Sequence, residues 1–569
     1  MKTRRLPPPG PGGYALVLVL CLTAVALLTL AAAMSWTSDT RRTTERNNEY
    51  QKSLAAAEAA TEKAVGLMES DFRNSGAGTV WANLARYHAA VPLAAEEATW
   101  GRYAFSDGAG HANQLIVTNL GTTTYTNLGG AYQNLKGMAA TFQVGAAARN
   151  TRGRESVIAG VRQQVQVATI PLFQFAIFYN ILMEISCGQP FNIWGQVHAN
   201  QQMYVLPDSA LTFRGDVGAV GDITFSRAPG DSRGPPAGAV TYQAGHLSGV
   251  ASLNLPIGTN NSPAAVQALL DPPPSGEDPN SAMGKQRFYN QADLIVTVSN
   301  ATITATSGRS DGFGTDLSAA EVNQFVSTNA TFHDAREGKT VEAITVDVGN
   351  FTAWNATNAT LRVVEGHPVG TLYVQDKRTL GGTQLGAVRL QNGTVLPSRG
   401  LTVVTPQPLY VQGNYNGYNS GYLGTTNTSA TYPAALMSDA ITILSSNWKD
   451  ANSSLGLSSR NAKPTTVNAA IVSGNVPTSV FNSYSGGVEN FPRFLENWGG
   501  SNPFTYNGSI VCMFPSRYAT NRWGMSGVYN PPARNWSFDQ NFLDPSKLPP
   551  STPSLSTMIR LHWNVVAAQ

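Results

Sequence analysis

Cysteine is scarce: three residues in a chain of 569. No CxxC pair or Cys/His cluster occurs, which argues against a structural zinc site and a disulfide scaffold. Cys21 lies inside an apolar run. Cys187 and Cys512 are far apart, and two readings stay open for them: a disulfide, or two unpaired buried thiols. Charge is also scarce, at 13% of residues, and the formal net charge is only +3 with signs mixed. That leaves no electrostatic case for nucleic acid. Missing too are a GxSxG elbow, an HExxH pair, a P-loop, a GxGxxG in its proper context and an EF-hand loop. No catalytic residue, metal ligand or cofactor is therefore assigned, and the chain is not expected to be an enzyme.

What is present begins with Tyr14 to Met34, 21 residues without a charge. A bilayer core of ~30 Å needs about 20 apolar residues as a helix, so this run is long enough to span. It is longer than the apolar core of a cleaved secretory signal, and the small residues Ala31, Ala32 and Ala33 lie at its far end. A retained helix is the favoured reading, with Lys2, Arg4 and Arg5 on the cytoplasmic side and the large remainder exported. From Asp39 to Phe72 neither proline nor glycine intervenes until Gly66. Tyr50, Leu54, Ala57, Thr61, Val65, Met68 and Phe72 recur at spacings of three and four, the mark of one helical face.

These residues carry a resemblance. The basic leader MKTRRLPPPGPGG, then Tyr14 and the apolar run, resembles a prepilin leader, with cleavage between Gly13 and Tyr14. The start Gly13-Tyr14-Ala15-Leu16 and the segment Leu54-Ala55-Ala56-Ala57-Glu58-Ala59-Ala60 resemble the PilX-type N-terminal family of type IV pilus assembly, over roughly residues 10–72. The resemblance implies a minor pilin-like protein, single-pass in the inner membrane, with its body in the periplasm, on a pilus or at the cell surface. It implies other pilin-like subunits as partners through the N-terminal helix. One departure matters: Leu18 stands where major pilins carry a glutamate, so a bulk filament subunit is disfavoured.

The remainder reads as mainly β, with 54 Gly and 33 Pro. The expected order is a leader (1–13), a transmembrane and stalk helix (14–75), and an α+β linking region (76–181). First coils of a parallel β-helix-like body follow (182–227), then a loop-rich β insert (228–400) and a second β-helix-like part with a C-terminal strap (401–569). In the linking region, Val80–Tyr87 and Val91–Glu97 look helical, and Ile170–Tyr179 is read as a buried strand opening the body. Short alternating strands such as Met183–Ile185, Met203–Val205 and Leu211–Phe213, between tight turns, suit coils that bury one side against the next.

Four clusters invite a site. His333, Asp334, Arg336, Glu337 and Lys339 form the densest polar group. Two carboxylates there could act as acid and base on a sugar, but mutual pairing at a surface is preferred. His198 is read as a hydrogen-bonded strand-end residue rather than a base. Glu489, Arg493, Glu496 and Trp498 could line a cleft, although Phe491, Phe494, Leu495 and Trp498 at helical spacing favour a docking helix. Tyr415, Tyr418 and Tyr422, among Gly and Asn, are the candidates for surface contact with a polysaccharide or protein ligand; tyrosines lying flat on the coil surface are the alternative. The competing class for the whole chain is a membrane-anchored carbohydrate-active enzyme or adhesin on the same β scaffold.

Overall fold

A computed structural model describes residues 14–153, 155–235, 238–308, 314–499, 501–524 and 526–566. The basic leader 1–13, with Gly13, lies outside the described residues. The chain opens with one uninterrupted helix, Tyr14–Ser75, of 62 residues. At 1.5 Å per residue that is about 90 Å. Its first part, Tyr14 to Met34, is exposed along its whole length. The polar hydroxyls in this part bond back to the helix itself: Thr23 to the Val19 carbonyl at 2.9 Å and Thr29 to that of Ala26 at 2.9 Å. Neither threonine hydroxyl there has to find water, as a lipid-facing helix requires.

The second part of the helix is built differently. Ser53, Ala56, Ala57, Ala60, Thr61, Ala64, Val65, Met68 and Phe72 are buried in a stripe that follows the helical repeat. Five of them, Ala57, Thr61, Val65, Met68 and Phe72, belong to the periodicity seen in the sequence; Tyr50 and Leu54 are only half-buried. Alanine dominates the stripe, so the helix axis can approach the sheet below it closely. That sheet is antiparallel, ordered Tyr103–Ser106, Lys136–Asn150, Ile158–Pro171, Ser554–Val566. Ile116–Asn119 and Thr124–Asn127 pair with Lys136–Asn150 along the same edge as Tyr103–Ser106. Phe142, Val144, Val161 and Val165 face the helix from the two long strands.

The body departs from this sheet and returns to it at one place. Pro171 is paired with Ser554, and the Leu172 amide donates to the Pro553 carbonyl at 2.8 Å. Between these points the strands are short and mostly parallel. An eleven-stranded sheet runs from His246–Ser248 at one end to Ile303–Ser307 at the other. Its order shows how the chain travels. It starts in the middle at Phe175–Tyr179, runs outward through Gln196–Ala199 and Val217–Ala219, and jumps to the far end at Leu294–Val298. It then comes back through 371–376, 401–404, 434–438 and 470–475 to Ile510–Pro515, which pairs with the starting strand. Parallel pairing sets like on like. Val217, Val197, Ile177, Ile510, Ile471, Leu436, Val403, Leu372 and Leu294 form one buried file through nine strands. At about 4.8 Å per strand the file is roughly 40 Å long.

Further parallel ladders flank it: Met183–Ile185 on Met203–Val205 on Ile223–Thr224, and Phe191–Ile193 on Leu211–Phe213 on Val240–Tyr242. On the returning run, Lys339–Asp347, Gln384–Gln391, Leu409–Gln412, Ile441–Leu444 and Arg493–Phe494 make a second ladder, and 465–468, 503–508 and 533–538 a third. Glycine is required where turns stack. A Cβ on Gly215 would lie 2.2 Å from the Gly195 carbonyl oxygen, and Gly195 itself has φ +96°. Asparagines finish the turns. Asn507 donates to the Asn468 side chain at 2.8 Å, and Asn468 and Asn416 exchange side-chain bonds with each other's carbonyls at 2.9 Å. Asn200 donates to Asn180 at 2.9 Å in the same manner.

The chain is thus β-rich behind a long apolar helix, and among the described residues no sheet closes on itself. Leu294–Val298 and Thr371–Asp376, from the stretch read as a loop-rich insert, are strands of the same eleven-stranded sheet. Two local expectations are corrected. Val91–Glu97 is turn and coil rather than helix; Pro92 lacks the amide that a helix there would use and restricts Val91. Phe491, Phe494, Leu495 and Trp498 are no docking helix: all four are buried, and Arg493–Phe494 is a parallel strand on Thr442 and Ile443. Cys187 and Cys512 are free and buried, and Cys21 is free on the exposed helix.

Candidate functional site

The helix and the surface it leaves uncovered form the first candidate. The last helical turns are locked by one carboxylate. Asp71 accepts from the Tyr87 hydroxyl at 2.6 Å, from Asn83 at 2.8 Å and from Arg86 at 3.1 Å. Burial acts to raise its pKa, but the Tyr87 and Asn83 hydrogen bonds and the Arg86 charge outweigh it and hold the carboxyl below its ordinary value. A second lock joins both ends of the chain. Arg560, on the C-terminal strand, donates to the two oxygens of Glu62 at 2.5 and 2.7 Å and to Gln163 at 3.2 Å. Gln163 in turn donates to Thr61 at 2.8 Å. The Arg560 guanidinium keeps Glu62 below the usual carboxylate range. The helix is therefore fixed to the sheet over its second half, while Tyr14 to Met34, with Leu16, Leu20, Leu27 and Leu30 exposed, stays free to contact lipid or other helices.

The polar cluster around residue 334 is not a surface group. Asp334, Arg336 and Glu337 are buried in the turn between Val326–Asp334 and Lys339–Asp347. Asp334 accepts from the Arg336 and Glu337 amides at 2.7 and 2.9 Å and from the Tyr410 hydroxyl at 2.6 Å. Glu337 accepts from Arg493 at 2.8 Å and from the Asn521 amide at 3.1 Å. His333 and Lys339 remain at the half-buried margin. The carboxylates are consumed by structural bonds: within the cluster Asp334 takes backbone amides, while the side-chain partners, Tyr410 and Arg493, lie far along the chain.

His198 is buried and stacks on Phe178, ring centroids 5.4 Å apart at 13°, with Nε2 3.0 Å from the Asn200 side-chain oxygen. Burial lowers its pKa to about 4, so the ring is neutral at ordinary pH. Of the three tyrosines, Tyr415 is fully buried, which removes it from any surface contact: its backbone bridges to Val467, and the loop begins only after it. Tyr418 is exposed, takes φ +56° and packs edge-on against the half-buried Tyr422 at 5.4 Å. Glu489, Arg493, Glu496 and Trp498 do not line an open cleft: all are buried, and Glu496 accepts from the Ser445 amide and hydroxyl at 2.5 and 2.7 Å.

One residue escaped the reading of the sequence. Glu184 is the middle residue of the strand Met183–Ile185 and is buried, whereas Asn192, in the same place of Phe191–Ile193, is exposed. The difference arises because Gly487 of the returning run bridges to Glu184 and the loop before it covers the side chain. The available signal was a lone carboxylate between two apolar residues in a strand of three. Among the described residues no group of three or more His, Cys, Asp or Glu side chains is arranged to hold a metal ion.

No family model matches the chain, and no curated protein matches it. Among solved structures it is similar to the crystal structure of the competence-associated pilin ComZ from Thermus thermophilus, with 12% identity and a TM-score of 0.31, over 91% of this chain and 97% of that chain. At that identity and TM-score the likeness carries no inference about the role of this chain.

Proposed function

We propose that the chain is a minor pilin-like, type IV pilus assembly-associated structural protein, held in the inner membrane by its single N-terminal helix and displaying the β-rich body outside. The observation that carries the reading is the division of one unbroken helix. Its first 21 residues are apolar and wholly exposed, and its second half is bonded to a sheet. An exposed apolar helix of that length needs a bilayer or neighbouring helices around it. Other subunits with such helices would meet it there, as the PilX-type resemblance implies. The stacked ladders support reading the body as a parallel β-helix, whose work is display rather than catalysis, with Tyr418 and Tyr422 on an outer loop.

The test is the mature amino terminus of the protein taken from its native membrane. A start at Tyr14 supports prepilin-type processing and assembly with pilin-like partners. A start after Ala33, or an intact Met1, removes that support and leaves a secreted or plainly anchored surface protein.

A further inference from the structure

A cleft of about 340 Å³ opens where the outgoing and returning runs of the body meet. Its walls carry the apolar residues Leu182, Pro229, Pro263 and Pro477 and the polar residues Gln201, Thr478 and Ser479, and two further polar residues line it, Glu184 and Asn475. Both are more than nine-tenths buried, at 2% and 6% exposure. One oxygen of Glu184 accepts from the Thr478 hydroxyl; its Oε2 has no partner among the described residues. Asn475 uses its amide nitrogen on the Gly486 carbonyl at 3.0 Å, and its Oδ1 is likewise unpartnered.

We propose that this cleft binds a primary ammonium group carried on an apolar stem, with Glu184 as its counter-ion. The buried Tyr179 hydroxyl lies beside Asn475 and can donate to its Oδ1, which leaves Glu184 Oε2 as the acceptor without a donor, so the complementary group is one that only donates. An ammonium has three donors and no acceptor, whereas a hydroxyl would bring an acceptor of its own. The proline and leucine walls suit the methylenes behind such a group, as long cationic side chains bury their stems along apolar surface. The volume lies in the range of small-molecule sites, ~300–1,000 Å³. Among the described residues no ion pair reaches Glu184 from within the chain. The nearby titratable groups are Glu489, Asp231 and the buried Tyr179 hydroxyl. Arg233 is taken up by Asp231 and Asp208, at 2.8 and 2.9 Å, and Arg534 donates to the Glu489 carbonyl at 3.0 Å. Burial raises the Glu184 pKa to about 7; the Thr478 hydrogen bond opposes this, and Glu489 and Asp231 add to it. The empty site is thus half protonated near neutrality, and the ammonium selects its anionic form. The two sources of such a group are a free alkyl diamine and a lysine side chain of another protein.

The experiment is calorimetric titration of the full chain in detergent with 1,5-diaminopentane and, separately, with Nα-acetyl-lysine methylamide, at pH 6 and pH 8. The expected result is binding of one or both probes, weaker at pH 6 than at pH 8 by about tenfold because only about a tenth of the carboxyl is ionised there. Preference for the diamine identifies a free amine as the source, and preference for the lysine probe identifies a protein side chain. Glu184→Gln should weaken binding at least tenfold. Ser479→Trp, on the exposed rim and touching none of the buried bonds, should do the same and guards against misfolding of the first variant. No binding of either probe up to roughly 10 mM, equal affinity at the two pH values, or unchanged affinity in Ser479→Trp with Glu184→Gln folded and binding would each overturn the proposal.

Discussion

The sheet under the helix and the stack beyond it solve the same problem in opposite ways. Under the helix, cohesion comes from a narrow alanine stripe against an antiparallel sheet, and the ionic contacts lie at the rim. The Arg560 and Glu62 side chains are 57% and 41% exposed. In the stack, cohesion comes from apolar files along parallel strands, and beside surface pairs such as Arg517 with Asp271 one ionic contact is wholly inside. The Arg493 and Glu337 side chains are 4% and 2% exposed. Equal-looking salt bridges therefore carry unequal weight, because solvent screens one pair and is excluded from the other.

The sharpest way to break that contrast is Arg493→Met. It leaves the Glu337 carboxylate buried without its cation and removes the bond from Arg493 to the Ala519 carbonyl. A loss of about 3–5 kcal/mol is expected in denaturant unfolding of the full chain in detergent, and a loss below about 1 kcal/mol would mean the interior pair is no different from the rim. The next effect is a pH dependence located in the stack alone. Folded Glu184 has its pKa raised from 4.5 to about 7. Its contribution is whole below the unfolded value and is lost as pH rises through about 7, since the folded state holds the proton more tightly. Relative to Glu184→Gln, the parent chain should therefore lose stability on the order of 3 kcal/mol between pH 5 and pH 8. The substituted chain should keep the opposing rise of buried His198, whose pKa is lowered to about 4, and the smaller fall of Glu489, also raised by burial. A slope untouched by the substitution would assign it elsewhere.

Smaller again is Asn468→Ala, which strands the Asn416 carbonyl and the Asn507 amide. About 1–3 kcal/mol should be lost, with hydrogen exchange quickening in strands 465–468 and 503–508 and not in the sheet under the helix. The smallest effect belongs to Arg560→Ala. An exposed pair contributes about 0–1 kcal/mol, so the melting curve should barely move. A large drop would show that the rim network with Gln163 and Thr61 acts as one unit.

What was legible in the sequence was local. The apolar run and the stalk repeat announce themselves because a helix fixes its faces from its own neighbours. Short strands between turns gave the β character for the same reason. What stayed hidden depends on partners far along the chain. Asp334 and Glu337 look like a surface group until Tyr410, Arg493 and Asn521 are folded over them. Phe491, Phe494 and Trp498 have helical spacing, yet Phe494 and Trp498 are used against Phe504 on the neighbouring rung. Glu184 is unremarked among short strands because its cover, Thr478 to Gly487, lies some three hundred positions later. A signal was present and unused in the asparagines that close FYN, HAN, TVN and TYN at 180, 200, 468 and 507. Each lies at or beside the end of a strand, and the four bond in two pairs, Asn200 to Asn180 and Asn507 to Asn468.

Pro171 and Ser554, the two ends of the body, are neighbours in one sheet. Mechanically, the 382 residues between them hang as a side loop from a hairpin, in parallel with the load and not in series with it. Tension drawn along the helix passes into the long strands through the alanine stripe and need not run through the stack. The body can be exchanged, lengthened or lost without cutting the path along which force is carried.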